Sequence, residues 1–312
     1  MKTIKLTLIA FIIPLFIFSQ DAETLSDMAQ EKYEQKDYQY ALVLIEKAIE
    51  KNDTNEWYYM QKAQIVFNLH GLHEAIEALK SAEKINPEQT EIYNRAGMYY
   101  QSAGKVDSAI TNYDKGIRLA KSDTLKMMYL TGRGTTKGRF RDFEGALKDF
   151  EAVLSFNPND AAVLNNIAPV YRSLGMTDKA ILALKKLIQL DSTFVGPYVN
   201  LGFTYSKIDS LDLALHYFNK ALKIDPAEAT TYNNRGHIYY KMGNYDKAFA
   251  DINKSISLYP ANSYAYRNLA LVYLATNNNK EACLTLQYAE EYGFEKQYGP
   301  EVKELIAKHC KN

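Results

Sequence analysis

Histidine, cysteine and a recurring asparagine are the residues whose types and spacing could do chemistry in this chain. His70 and His73 form an H-x-x-H pair, but no cysteine or acidic cluster accompanies them, so no metal site is assigned. Gly132, Gly134 and Gly138 do not follow a strand and therefore do not form a phosphate loop. His237 has neither a nucleophile nor a partner carboxylate in sequence, which makes it a ligand contact rather than a catalyst. Cys283 and Cys310 are the only two cysteines. In an exported chain they either close a disulfide loop of roughly 26 residues or stay as two buried thiols. The reading is of a non-enzyme with no cofactor. What remains is regular: Asn166, Asn200, Asn234 and Asn268 stand 34 residues apart, with Asn233 beside the third.

That spacing belongs to the elements that must position these side chains. Sliding Ala229–Asn262 by 34 residues lands on a similar stretch. Copies run over 22–55, 56–89 and 90–123, skip Thr124, Leu125 and Lys126, then resume over 127–160, 161–194, 195–228, 229–262 and 263–296. Position 20 of each copy is alanine: Ala41, Ala75, Ala109, Ala146, Ala180, Ala214, Ala248 and Ala282. Position 8 is Gly or Ala throughout, while position 24 is large, as in Tyr113, Phe150, Phe218 and Ile252. Small residues at 8 and 20 let two helix backbones approach, and large ones fill the space beside them. Glycine near position 15 ends the first helix, and proline near position 32 ends the second. A single pair cannot bury its apolar face alone, so neighbours stack.

The flanks carry other information. Lys2 and Lys5 precede an apolar run, Leu6 to Phe18, which fits an export signal over residues 1–20 and is short for a membrane span. Basic and acidic residues balance at 37 each, and removing the leader with its two lysines leaves 35 against 37. That balance argues against nucleic-acid partners, which need a basic field. No other stretch is apolar enough to cross a bilayer, so no membrane span is expected after cleavage; the oligomeric state stays open. Residues 298–311 read as a C-terminal capping helix.

These residues resemble the tetratricopeptide repeat family, from Ala22 to about Lys296. The resemblance implies an all-α, right-handed superhelical solenoid of antiparallel helix pairs, whose first helices line a concave groove that docks peptides or partner proteins. The domains are then repeats 22–123, an insertion at 124–126, repeats 127–296 and the cap. Ser122, Asp123 and Thr124 are candidate helix caps at the insertion, which predicts a lengthened helix or an altered stacking angle dividing the array into three copies plus five. Pro169, inside a first helix, predicts a kink.

Family geometry implies that positions 2, 5, 6, 9, 12 and 13 of each first helix face or border the groove. Asn166, Asn200, Asn234 and Asn268 at position 6 are then similar to the asparagine ladder of some peptide-binding members, or they bond neighbouring helices instead. Arg139, Arg172, Lys207 and Lys241, with Arg267 nearby, form a basic strip suited to an acidic segment or a carboxylate, or they complement helix dipoles. The family's carboxylate clamp needs lysine at position 5, and none occurs there. The expectation is a polypeptide-binding scaffold in the cell envelope, periplasmic or secreted. The alternative is a glycan or small-ligand module using the Tyr- and Asn-rich surface. Candidate peptide contacts are Asn166, Asn200, Asn233, Asn234, His237, Tyr240, Lys241 and Asn268, and the alternative would use Tyr240 and Tyr264.

Overall fold

The computed structural model describes residues 20–310, so the expected leader lies, except for Gln20, outside the described residues. These residues are helical throughout, with no strand among them. The first unit ends at Phe156 and the second begins at Asn157.

The first unit holds α1 (Ala22–Glu34), α2 (Tyr38–Lys51), α3 (Glu56–Leu69), α4 (Leu72–Ile85), α5 (Thr90–Ser102), α6 (Val106–Leu119), α7 (Asp123–Arg139) and α8 (Phe143–Phe156). The second holds α9 (Ala161–Ser173), α10 (Thr177–Leu190), α11 (Val195–Lys207), α12 (Leu211–Ile224), α13 (Ala229–Lys241), α14 (Tyr245–Leu258), α15 (Ser263–Ala275) and α16 (Asn279–Glu291). After these come the short α17 (Phe294–Tyr298) and α18 (Glu301–His309).

The repeating small and large residues meet as close packing requires. A Cβ added at Gly97 would come within 2.7 Å of the Tyr113 ring, at Gly134 within 2.9 Å of Phe150, and at Gly202 within 2.5 Å of Phe218. Position 8 is therefore small because position 24 of the same copy lies on its backbone. The alanines at position 20 are fully buried in all eight copies. Gly132 also packs under Tyr113, at 2.7 Å for an added Cβ, which gives that glycine a packing reason.

The turn within each pair needs one residue in the left-handed region. Gly104, Gly175 and Gly243 supply it at φ of 72°, 74° and 74°, where glycine carries no Cβ penalty. Lys36, Arg141, Asp209 and Asn277 hold the same place at φ of 61°, 71°, 60° and 58°. The glycine signal thus marked only some of the turns that share this backbone.

The insertion takes the first of its two expected forms, a lengthened helix. The surplus Thr124, Leu125 and Lys126 are absorbed into α7, which has 17 residues where most of its counterparts have 13 or 14. Ser122 caps it, accepting a hydrogen bond from the Leu125 amide at 3.2 Å. The lengthened helix still packs on α6, with the Tyr129 ring within 2.4 Å of where a Gly116 Cβ would sit. The boundary between units accordingly falls after α8 rather than at the insertion. Pro169 lies inside α9, which runs as one helix from Ala161 to Ser173.

At the C-terminus, Phe294 and Val302 are buried against Leu286, Ala289 and Ala270. Cys283 of α16 and Cys310 after α18 form a disulfide, with Cα atoms 5.6 Å apart.

Candidate functional site

The first helices of the second unit, α9, α11, α13 and α15, lie side by side and present their position-5, -6 and -9 residues together. The four-rung asparagine ladder does not survive as expected. Asn200 Nδ2 donates to Asn165 Oδ1 at 2.9 Å, and Asn268 Nδ2 donates to Asn233 Oδ1 at 2.9 Å. Each bond joins position 6 of one copy to position 5 of the copy before it. Asn233 and Asn268 are buried, at 2% and 1% exposure, so this pair holds helices together rather than meeting a ligand. Position 5 before Asn234 is Val199, which cannot accept a hydrogen bond, and Asn234 is left with no protein partner among the described residues. Asn166 likewise makes no hydrogen bond to them, but it lies outside the cavities described next.

Asn234 opens into two adjoining cavities. One, of about 200 Å³, is lined by Ser206, Lys207, His237, Lys241, Tyr264 and others. The second, of about 560 Å³, is walled by Tyr259, Tyr264 and Tyr298 with Val199, Phe203 and Arg172. A third, of about 460 Å³, lies beyond Phe203 and shares Arg172 and Lys207. Phe203 borders all three. It occupies position 9, a groove position, so the repeat phase could have singled it out. Tyr259 follows α14 and Tyr298 belongs to α17, and neither has a counterpart in the repeat that would signal it.

The basic strip divides by partner. Lys241 pairs with Asp209, and Arg267 pairs with Glu301 of α18 while donating to Asn268 Oδ1 at 2.7 Å. Arg172 and Lys207 have no carboxylate partner among the described residues; they sit on the Phe203 ring at 4.7 and 5.1 Å from its centroid. Arg172 also donates to Thr204 Oγ1 at 3.2 Å. Burial alone lowers the Arg172 pKa. Arg139 belongs to the first unit, is exposed and lies near Phe140, so it does not join this site. Tyr240 stacks with His237 at 5.8 Å and packs against the Ala248 and Ile252 core, which makes it a support rather than a wall.

His237 Nδ1 is buried without a hydrogen-bond partner. Burial first, then the nearby charges of Arg267, Lys241 and Lys207, push its pKa down from 6.5 to about 4, with Glu301 opposing. The folded state therefore binds this proton less readily than the unfolded chain. Its contribution to stability is fully present above about pH 6.5 and is lost as pH falls toward 4. Between pH 7 and pH 5 the protein is expected to lose about 2 kcal/mol of unfolding free energy through this residue. Urea denaturation at both pH values checks it: His237→Gln should show a smaller drop, and an identical drop would refute the assignment.

A family model described as "Tetratricopeptide repeat" matches residues 229–262, a second of the same description matches 90–123 and 161–194, and a "TPR repeat" model matches 210–243. Three of these windows have the bounds of the copies read from the sequence. The chain is 30% identical over 106 residues to "Heat shock protein STI1" of Saccharomyces cerevisiae, covering 34% of this chain and 18% of that protein. It is 33% identical over 103 residues to "Small glutamine-rich tetratricopeptide repeat-containing protein 2" of Mycosarcoma maydis, covering 33% and 29%. The match thus spans under a third of either relative. A solved tetratricopeptide repeat protein from Parabacteroides merdae superposes with a TM-score of 0.69 at 21% identity, covering 82% of this chain and 99% of that one. Paired helices, a 34-residue period and this structural match define an all-α repeat solenoid. The chain carries tetratricopeptide repeats over residues 90–123, 161–194 and 210–262.

Proposed function

We propose that this protein is an exported, non-enzymatic scaffold of the cell envelope, periplasmic or secreted, that binds an extended segment of a partner polypeptide along the first-helix face of its second unit. The observation that supports this most is the run of three adjoining cavities around Phe203, two of which are lined by Asn234, whose amide has no protein partner among the described residues. A primary amide offers both donors and an acceptor, which suits a peptide backbone. The tyrosine walls add apolar area for side chains. The likeness to a relative named for its tetratricopeptide repeats favours protein binding over catalysis.

The test places a photo-crosslinking residue at Asn234 and, as a control, at Leu182 on α10, which is 67% exposed. In an envelope extract the first should trap a discrete polypeptide and the second should not. Trapping of glycan alone at position 234 would favour the glycan reading and overturn this one. Recovery of a tagged full chain in the cytoplasmic fraction would overturn the exported part.

A further inference from the structure

Four cations gather on this face of the second unit, and two of them already carry carboxylates of the protein itself: Asp209 on Lys241 and Glu301 on Arg267. The other two, Arg172 and Lys207, share one aromatic ring and have no such partner among the described residues. A guanidinium taken partly out of water without a counter-ion is an unfavourable arrangement that an anion would relieve. Thr204 satisfies only one of its donors, at 3.2 Å.

We propose that Arg172 and Lys207, held on Phe203, form a carboxylate subsite for an internal Asp or Glu side chain of the partner segment, with a bulky apolar residue beside it seated against Tyr259, Tyr264 and Tyr298. This rests on the polypeptide-binding reading above and specifies its chemistry.

Four features select that occupant. The local excess is two charges in a chain whose basic and acidic residues balance at 37 each, which suits a carboxylate rather than a polyanion. The same face already seats two carboxylates on its other cations, so the group fits this geometry. Cavities lie on both sides of Phe203, about 560 and 460 Å³. A segment can therefore continue past the subsite in either direction, which points to an internal side chain rather than a chain end. The larger cavity is walled by tyrosines, and their rings offer offset or edge contacts to an apolar neighbour.

The test pans the full-length protein against two displayed random nonapeptide libraries, one with both ends blocked and one with free C-termini. Blocked peptides should enrich Asp or Glu next to Phe, Tyr, Leu or Ile. Arg172→Gln and Lys207→Gln should each weaken a selected peptide about tenfold, with helicity unchanged by circular dichroism. Lys207→Glu should shift the enriched residue toward Lys or Arg. Enrichment without acidic preference, or a preference that persists in the Arg172→Gln/Lys207→Gln double variant, would overturn the subsite while leaving peptide binding in place. Selection only of free C-terminal carboxylates would overturn the internal side chain. Enrichment of no peptide in either library would overturn both readings.

Discussion

Replacing Asp149 by alanine is expected to destabilise the first unit by about 3–5 kcal/mol. Asp149 is 2% exposed and lies on α8 opposite α7. Arg133 grips it with two hydrogen bonds, Nε to Oδ2 at 2.9 Å and Nη2 to Oδ1 at 2.6 Å, and Lys137 adds a third at 2.9 Å. Alanine would leave two half-buried cations without this carboxylate, and desolvated charge is what makes such a loss large. Arg133 also reaches Asp114, whose side chain is 37% exposed. Asp114→Ala should cost about 1 kcal/mol or less, because water takes over an exposed partner. Chemical denaturation of the two variants separates the cases, and equal losses would refute the argument. The second unit offers an independent repeat of the geometry, with Arg235 holding Asp251 through bonds of 2.6 and 2.8 Å.

Removing the Cys283–Cys310 disulfide should cost about 3.5 kcal/mol if its effect is the entropy of closing a loop in the unfolded chain. The bonded residues are separated by 27 positions. That loop contains Tyr298, a wall of the larger cavity, and Glu301, the counter-ion of Arg267. Packing of Phe294 and Val302 remains without the bond, so the cap should loosen rather than unfold outright. In Cys283→Ser/Cys310→Ser, trypsin should cleave faster at Lys296 and Lys303, both exposed, while sites in the first unit keep their rates. Unchanged cleavage and an unchanged melting temperature would show that the bond contributes little. Mass measurement of the unreduced protein provides the control for its presence.

Residues with one repeated job were legible early. Ala248, Gly236 and Ile252 could be placed because each recurs in register and because close helix packing tolerates only certain sizes at those places. The turn was half legible: glycine announced the left-handed residue at 104, 175 and 243, whereas Arg141 and Asn277 adopt it without any compositional sign. The site was less legible. Asn268 and Asn234 occupy the same position of successive copies, yet one is buried in a helix–helix bond and the other opens into a cavity. Asn233 precedes the first and Val199 the second, and that difference sits one copy away in sequence. Lys241 and Lys207 likewise look alike until Asp209 is seen to pair with one of them.

By itself, then, the sequence determined the period, the helix pairs and the faces they bury, because those depend on contacts within a copy that repeat with it. Tertiary structure alone decided which amides and cations remain available, and it brought Tyr259 and Tyr298 to the wall of one cavity. Availability depends on which partner reaches each polar group first. Such pairing is a short-range contact between side chains of different copies, and no periodic pattern records it.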